Sequence, residues 1–391
     1  MKWDAICRRR AVSETRRDLY LDHWRGIFHV LMLVDHLPFL FPGLFTLIAG
    51  WFEFLGYVSV AEGFVLLSGY VTGLVYTRVK QEKGSAAMWR KALGRAFTIY
   101  FTYAAAVMLL IILVKWLGAA NVSWGSWGRL LDEPLPLASV EVASLVWQPS
   151  FLEILPMYSL FLVFAPVMIA LLDRKRHWLV IGASVSLWIA NQFGIRGRLL
   201  NAVGLEAAHL GYFSFFAWQV LFVAGLICGH RTYRVNRPWL PKNATLAFAA
   251  YFMAIIFFAW HHRLLEIPIN ARWVERSSMG ALRLLNFACL AFLAARFREP
   301  IGKVIGWKGL AFLSRHSLQV FAFHLIPIYA AALFITGRTQ LSWWAQLLFI
   351  AFCELGLFYI AWLAKLAKKR IHKRSNTQQV FPVSVEDVQT K

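Results

Sequence analysis

Apolar runs of 15 to 25 residues recur ten times along this chain, at 24–44, 58–76, 96–116, 151–172, 178–193, 213–230, 244–260, 281–295, 310–334 and 343–364. A run of that length matches the hydrocarbon thickness of a bilayer, and inside lipid a backbone must satisfy its own hydrogen bonds. The pattern predicts an all-α polytopic integral membrane protein with about ten transmembrane helices. Composition agrees: of 391 residues, 59% are hydrophobic and only 16% are charged, which excludes an ordinary soluble enzyme.

The net charge of +21 would point to nucleic acid in a soluble domain. Here its placement decides, because the cations sit between the apolar runs. One alternate set of connectors, with the N-terminal segment through Arg25 and the C-terminal tail, holds 31 Lys and Arg, and the other set holds 7. The positive-inside rule then puts both termini in the cytoplasm, as an even span count requires. The partner implied is the lipid bilayer, not nucleic acid. Three units follow: a basic cytoplasmic segment 1–23, a transmembrane domain 24–364, and a basic tail 365–391. The tail begins LAKLAKKRIHKR, suited to anionic head groups, and becomes polar and disordered. The charged start is not expected to act as a cleavable signal peptide. Cys7, Cys228, Cys289 and Cys353 are scattered and suggest neither a disulfide framework nor a metal site.

The most polar of the runs comes first. RDLYLDHWRGIFHVLMLVDHLP, residues 17–38, keeps Asp22, Arg25, His29, Asp35 and His36 in apolar company. At about 100° per residue Arg25 and His36 are nearly eclipsed, about 16 Å apart along the axis. Asp22 and His29 lie within about 60° of Arg25, and Asp35 is turned well away. One face therefore carries a cation at the membrane surface and an imidazole near mid-depth. Ionisable groups at that depth are costly, which marks a functional site. The plainer alternative is that Asp35 and His36 only satisfy each other.

The later runs add candidates. In SVAEGFVLLSGYVTGLVY, Gly69 and Gly73 form a GxxxG pair for close helix packing, and Glu62 either faces the cavity around His36 or sits at the interface. Arg90, Lys91 and Arg95 in MWRKALGRAFTIY lie where a helix emerges at the cytoplasmic face, placed for lipid head groups or for the phosphates of a nucleotide donor. Pro149, Pro156 and Pro166 kink the fourth run and open space that Glu153 and Tyr158 can line, unless these are a boundary acid and a belt tyrosine. FFAWQVLF sets Trp218 beside Gln219, an amide suited to an interhelical hydrogen bond. LSRHSLQVFAFHLIP carries His316 and His324, about 80° apart on a helix, so the two need not share a site. There is no metal-ligand spacing and no P-loop, GxGxxG or GxSxG context, so no resident cofactor or metal is expected.

Taken in order, these blocks resemble the OpgC family, the osmoregulated periplasmic glucan succinyltransferases, related to the wider acyltransferase-3 membrane proteins. The resemblance runs from Arg17 to about His324, and the Arg25-x10-His36 spacing is similar to the Arg/Lys-x10-His signature of that superfamily. It implies a ten-helix O-acyltransferase of the bacterial inner membrane. The donor would be cytoplasmic acyl-CoA (succinyl-CoA or acetyl-CoA), and the acceptor hydroxyls on an extracytoplasmic polysaccharide or periplasmic glucan. His36 would be the catalytic histidine, with Asp35 as its acidic neighbour, Arg25 as the motif's cation and Glu62 near them. Arg90 and Arg95, with Lys91 between, would meet the CoA phosphates. Asp22, His29, Glu153, Tyr158, Trp218, Gln219, His316 and His324 remain to line the substrate path. A second copy of the chain or a glycan synthase is the macromolecular partner such a protein would meet.

The chemistry suits transacylation. A neutral imidazole can take the proton of a sugar hydroxyl as it attacks a thioester, or carry the acyl group itself. An adjacent carboxylate would orient the ring, and Arg25 or the Gln219 amide could stabilise the oxyanion. Two rivals remain on sequence grounds: a transporter or flippase with an intramembrane His/Asp/Glu relay, and a non-catalytic partner of a glycan synthase.

Overall fold

The computed structural model describes residues 18–41, 53–117, 133–204, 211–235, 243–332 and 341–380. Residues 1–17 of the expected basic segment lie outside them, as do parts of the loops 117–150 and 335–342 and the polar end of the tail. Among the described residues all regular structure is helical, with no strand. In chain order the helices are α1 Leu19–His36, α2 Val60–Leu117, α3 Leu135–Ala143, α4 Ile154–Asp173, α5 His177–Gln192, α6 Ile195–Ala202, α7 Phe215–Val235, α8 Ala244–His261, α9 Ala281–Arg296, α10 Arg298–Ile305, α11 Lys308–Ser314, α12 Ser317–Ala332 and α13 Trp343–Val380.

Local chemistry sets several boundaries differently from the apolar runs. α1 starts where the Asp18 side chain accepts from the Tyr20 amide at 3.1 Å, an N-cap. It ends at His36 rather than reaching residue 44, because Pro38 cannot donate to the helix ladder and a short 3-10 turn, Leu37–Phe39, follows. Runs two and three, expected as separate spans with a basic connector, form two helices that meet at a kink at Gly84, and α2 names the pair. Its Lys, Arg and Ala-rich middle favours helix, and only Gly84, at φ 87°, breaks it. The ninth run is split at Arg315–His316 into α11 and α12, where the Ser317 hydroxyl donates to the Ser314 carbonyl at 2.8 Å.

Among the described residues, four helices are long and apolar enough to cross a membrane: Val60–Leu113 within α2, α4, α8, and Trp343–Arg370 within α13. A fifth counts if α5 and α6, bent by 78°, act as one span. The expectation of about ten spans is not confirmed by this count, in which the two helices that meet at Gly84 stand as one. α1 is diluted by Asp22, Arg25 and Asp35, while α9 and α12 have only 16 residues each.

α2 and α7 form the central seam. A Cβ added at Gly69 or Gly73 would collide with the backbone of Phe222 or Leu226, and one at Gly225 or Gly229 with that of Leu66 or Tyr70. Two small-residue stripes thus let the backbones touch. α4 packs along α2, α1 leans on α11 and α12, and α13 lies beyond α12. Phe248 and Phe252 on α8, and Leu348, Phe352 and Leu355 on α13, point outward, an apolar belt that only lipid would cover.

Candidate active site

α11 and the first turn of α12 meet the polar stripe of α1. Gly26 lies so close to the Leu310 backbone that a Cβ there would clash, which presses the stripe against α11 and α12. Ser314 donates to Asp22 at 2.9 Å, and Arg25 donates to the Ser317 hydroxyl at 3.0 Å. Further along the same face, His29 is buried beside the Phe64 ring at 4.9 Å. At the end of α1, His36 Nδ1 stands 3.1 Å from His324 Nε2, with the rings stacked at 5.1 Å and 28°. The Phe151 ring covers His36 at 4.2 Å. His324 Nδ1 in turn donates to the Phe321 carbonyl. The structure thus brings Asp22, Arg25, His29, His36 and His324 into one column that threads the bundle.

Beyond His36 the column meets a charged cluster. Arg283 on α9 is 2% exposed and reaches Glu62 at 2.5 Å and Glu53 at 2.9 Å, while Arg276 reaches Glu53 at 2.7 Å. Glu62, fully buried, also accepts from the Ser59 amide at 3.0 Å and from its hydroxyl at 2.6 Å. Trp218 donates to the Arg276 carbonyl at 3.0 Å and so pins the loop that carries this guanidinium. Burial pushes the Glu53 carboxyl up, but Arg283 and Arg276 more than reverse this and hold it below the usual carboxylate range. The charge of Arg276 also reaches both Asp35 and His36.

The remaining candidates are distributed as follows. Asp35 does not hydrogen-bond His36: its Oδ1 has no partner among the described residues, and it feels Arg276, Glu62, Glu53 and Arg283 instead. The His36 imidazole meets His324 and the Met32 carbonyl, not the adjacent carboxylate. Glu62 is committed to Arg283 and Ser59 rather than free to act on substrate. Gln219 spends its amide on Ser184, accepting from the hydroxyl at 2.6 Å and donating to the carbonyl at 2.7 Å, an interhelical link away from the histidines. Glu153 is buried at the start of α4, close to Gly211, with Oε2 unpartnered among the described residues. Tyr158 packs on Phe222 at 6.1 Å, and His316 on Phe312 at 5.5 Å. Arg90, Lys91 and Arg95 are exposed on the half of α2 after Gly84, with Arg95 near enough to act on Tyr76. No group of three or more His, Cys, Asp or Glu among the described residues is arranged to hold a metal.

Sequence reasoning missed Glu53, Arg276 and Arg283. One signal was available for Arg283: an arginine inside the apolar run ALRLLNFACL needs a buried anion. The partner's identity was not available, because Glu62 lies 221 residues earlier.

An all-helical membrane protein with a histidine pair inside a charged column is the class that fold and site define. The chain belongs to the OpgC family, whose model, described as OpgC protein, matches residues 17–369. That family suggests a glucan-modifying acyltransferase in general. No curated protein and no solved structure matches the chain.

Proposed function

We propose that the protein is a transmembrane O-acyltransferase that moves a succinyl or acetyl group from cytoplasmic acyl-CoA to hydroxyls of an extracytoplasmic glycan. In this reading it sits in the bacterial inner membrane with ten passes, the shorter and more polar helices among them, and with both termini in the cytoplasm. Arg90, Lys91 and Arg95 meet the CoA phosphates on the cytoplasmic side. The column carries the argument: Arg25, His29 and His36 share one face of α1, with Arg25 bonded to Ser317 and His36 to His324 across the bundle. A donor at one end and an acceptor at the other can meet only along such a line.

His36 acts as the base. The acceptor O–H bond breaks as the proton passes to the imidazole, the oxygen bonds to the thioester carbon, and the C–S bond breaks. The imidazolium then returns the proton to the CoA thiolate.

The test is transfer of labelled acyl groups from succinyl-CoA or acetyl-CoA to periplasmic glucan by the purified protein in sealed proteoliposomes. Labelled glycan is the expected result. Glycan crossing the bilayer without label would replace this reading with a transporter or flippase, and neither outcome would leave a non-catalytic partner of a synthase.

A further inference from the structure

The histidine pair defines more than proximity. The Phe321 carbonyl can only accept a hydrogen bond, so the His324 Nδ1 that meets it must carry a proton. His324 is 2% exposed, and its hydrogen-bond partners among the described residues are that carbonyl and His36. With no carboxylate against it, a ring buried this deeply stays neutral. A neutral imidazole with its proton on Nδ1 offers a lone pair at Nε2. The atom 3.1 Å from that lone pair is His36 Nδ1, which must therefore be the donor. The proton of His36 is held on Nδ1, and Nε2 keeps its lone pair.

We propose that His324 is a positioning residue that locks His36 in the tautomer whose Nε2 is the basic atom, an inference that rests on the acyltransferase reading for its catalytic meaning. The Met32 carbonyl, one turn back on α1, also hydrogen-bonds the His36 ring, a second acceptor that favours a ring proton, and His36 retains 8% exposure where its partner retains 2%. Nε2, which carries no proton in this tautomer, is the nitrogen a hydroxyl can approach. The lock also serves the charged intermediate. When the acceptor proton arrives at Nε2, His36 becomes an imidazolium whose Nδ1–H still donates to His324, so nothing need rotate during the step. In other triads the same task falls to a carboxylate, whose loss leaves the wrong tautomer at a cost of orders of magnitude in turnover. Here the acid next in sequence, Asp35, does not occupy that position, and a second imidazole held by a backbone carbonyl does.

Two substitutions separate a lock from mere packing. A glutamine at this position can present its carbonyl oxygen where Nε2 stood, whereas leucine fills the space with no acceptor. His324→Gln should keep kcat within about threefold of wild type. His324→Leu should lose on the order of a hundredfold in kcat, with KM for acyl-CoA and glycan nearly unchanged at matched amounts of folded protein. In parallel, 15N spectra of the full-length, histidine-labelled protein, assigned with His36→Asn, should show His36 protonated on Nδ1 in wild type and in His324→Gln, and a mixture of tautomers in His324→Leu. Equal turnover in the glutamine and leucine variants, or a wild-type His36 protonated on Nε2, would overturn the proposal. If the wild-type protein transfers no acyl group, the acyltransferase reading fails. The spectra then decide the lock alone, with Nδ1 protonation lost in His324→Leu supporting it and any other pattern rejecting it. Should His324→Leu fail to fold, the wild-type spectrum and the activity of His324→Gln still decide the matter.

Discussion

The histidine pair and the Arg283 cluster are neighbours, since the charges of Arg283 and Glu62 both act on Asp35, yet they treat polar groups in opposite ways. In the cluster Glu62 is satisfied on both oxygens, by Arg283 on one and Ser59 on the other, and Glu53 binds two guanidinium groups. Around the histidines, His29 Nε2 and Asp35 Oδ1 have no partner among the described residues. Buried polar atoms in native proteins are nearly always paired, and the exceptions gather where chemistry is done. The saturated region is thus a scaffold and the unsaturated one a workplace. Variants in the first should act on stability, and variants in the second on turnover.

The largest expected effect is on the scaffold. Arg283→Met would leave Glu62 buried beside Ser59 without its cation, and breaking a buried pair in this way costs about 3–5 kcal/mol. Thermal unfolding in detergent should show the loss directly, and the double variant Arg283→Met with Glu62→Gln should recover part of it. A cost below about 1 kcal/mol for the single change would erase the contrast between the two regions. Next comes His36→Ala, which should reduce acyl transfer by about a hundredfold or more. Its stability should change by only about 1 kcal/mol, the worth of one hydrogen bond. A variant that unfolds instead would move His36 into the scaffold. Asp35→Asn should lose less turnover than His36→Ala, because Asp35 does not hold the ring.

The smallest effect concerns pH. The Glu53 carboxyl is held below its unfolded value, so its contribution to stability is complete above about pH 4.5 and is lost as pH falls through the lower folded value. The melting temperature should therefore show no step from Glu53 between pH 8 and about pH 5, and should decline on further acidification. Glu53→Gln should flatten that acid limb. An acid limb of the same depth in Glu53→Gln would assign the titration to another group.

Local features of the site were legible in the sequence, and long-range ones were not. Arg25, His29 and His36 fall on one face because helical periodicity alone fixes them, and the Gly69/Gly73 stripe follows from the same geometry. The partner stripe at Gly225 and Gly229 has the same GxxxG form and was equally readable. What periodicity cannot show is which polar residue completes another across the bundle. His324 lies 288 residues from His36, and nothing in its apolar surroundings marks it as a mate rather than a lining group. The basic connector between runs two and three is itself helical on both sides of the Gly84 kink, because Lys, Arg and Ala extend a helix as readily as they would leave it. The break at Arg315–His316 is a matter of serine hydrogen bonds that no hydropathy window senses.

The α2–α7 seam has a consequence for how the chain is made. Its two halves are separated by about 150 residues, so the ribosome delivers Gly73 long before Gly229. At about 5–20 residues per second, the α2 stripe waits roughly 8–30 s for its mate. During that interval its small-residue face is open to any other helix in the translocon's vicinity. Both stripes share the four-residue spacing of their glycines, and α7 is the helix whose own glycines let its backbone come equally close. The same spacing that sets the packing distance therefore also sorts the right helix from the wrong ones during biogenesis.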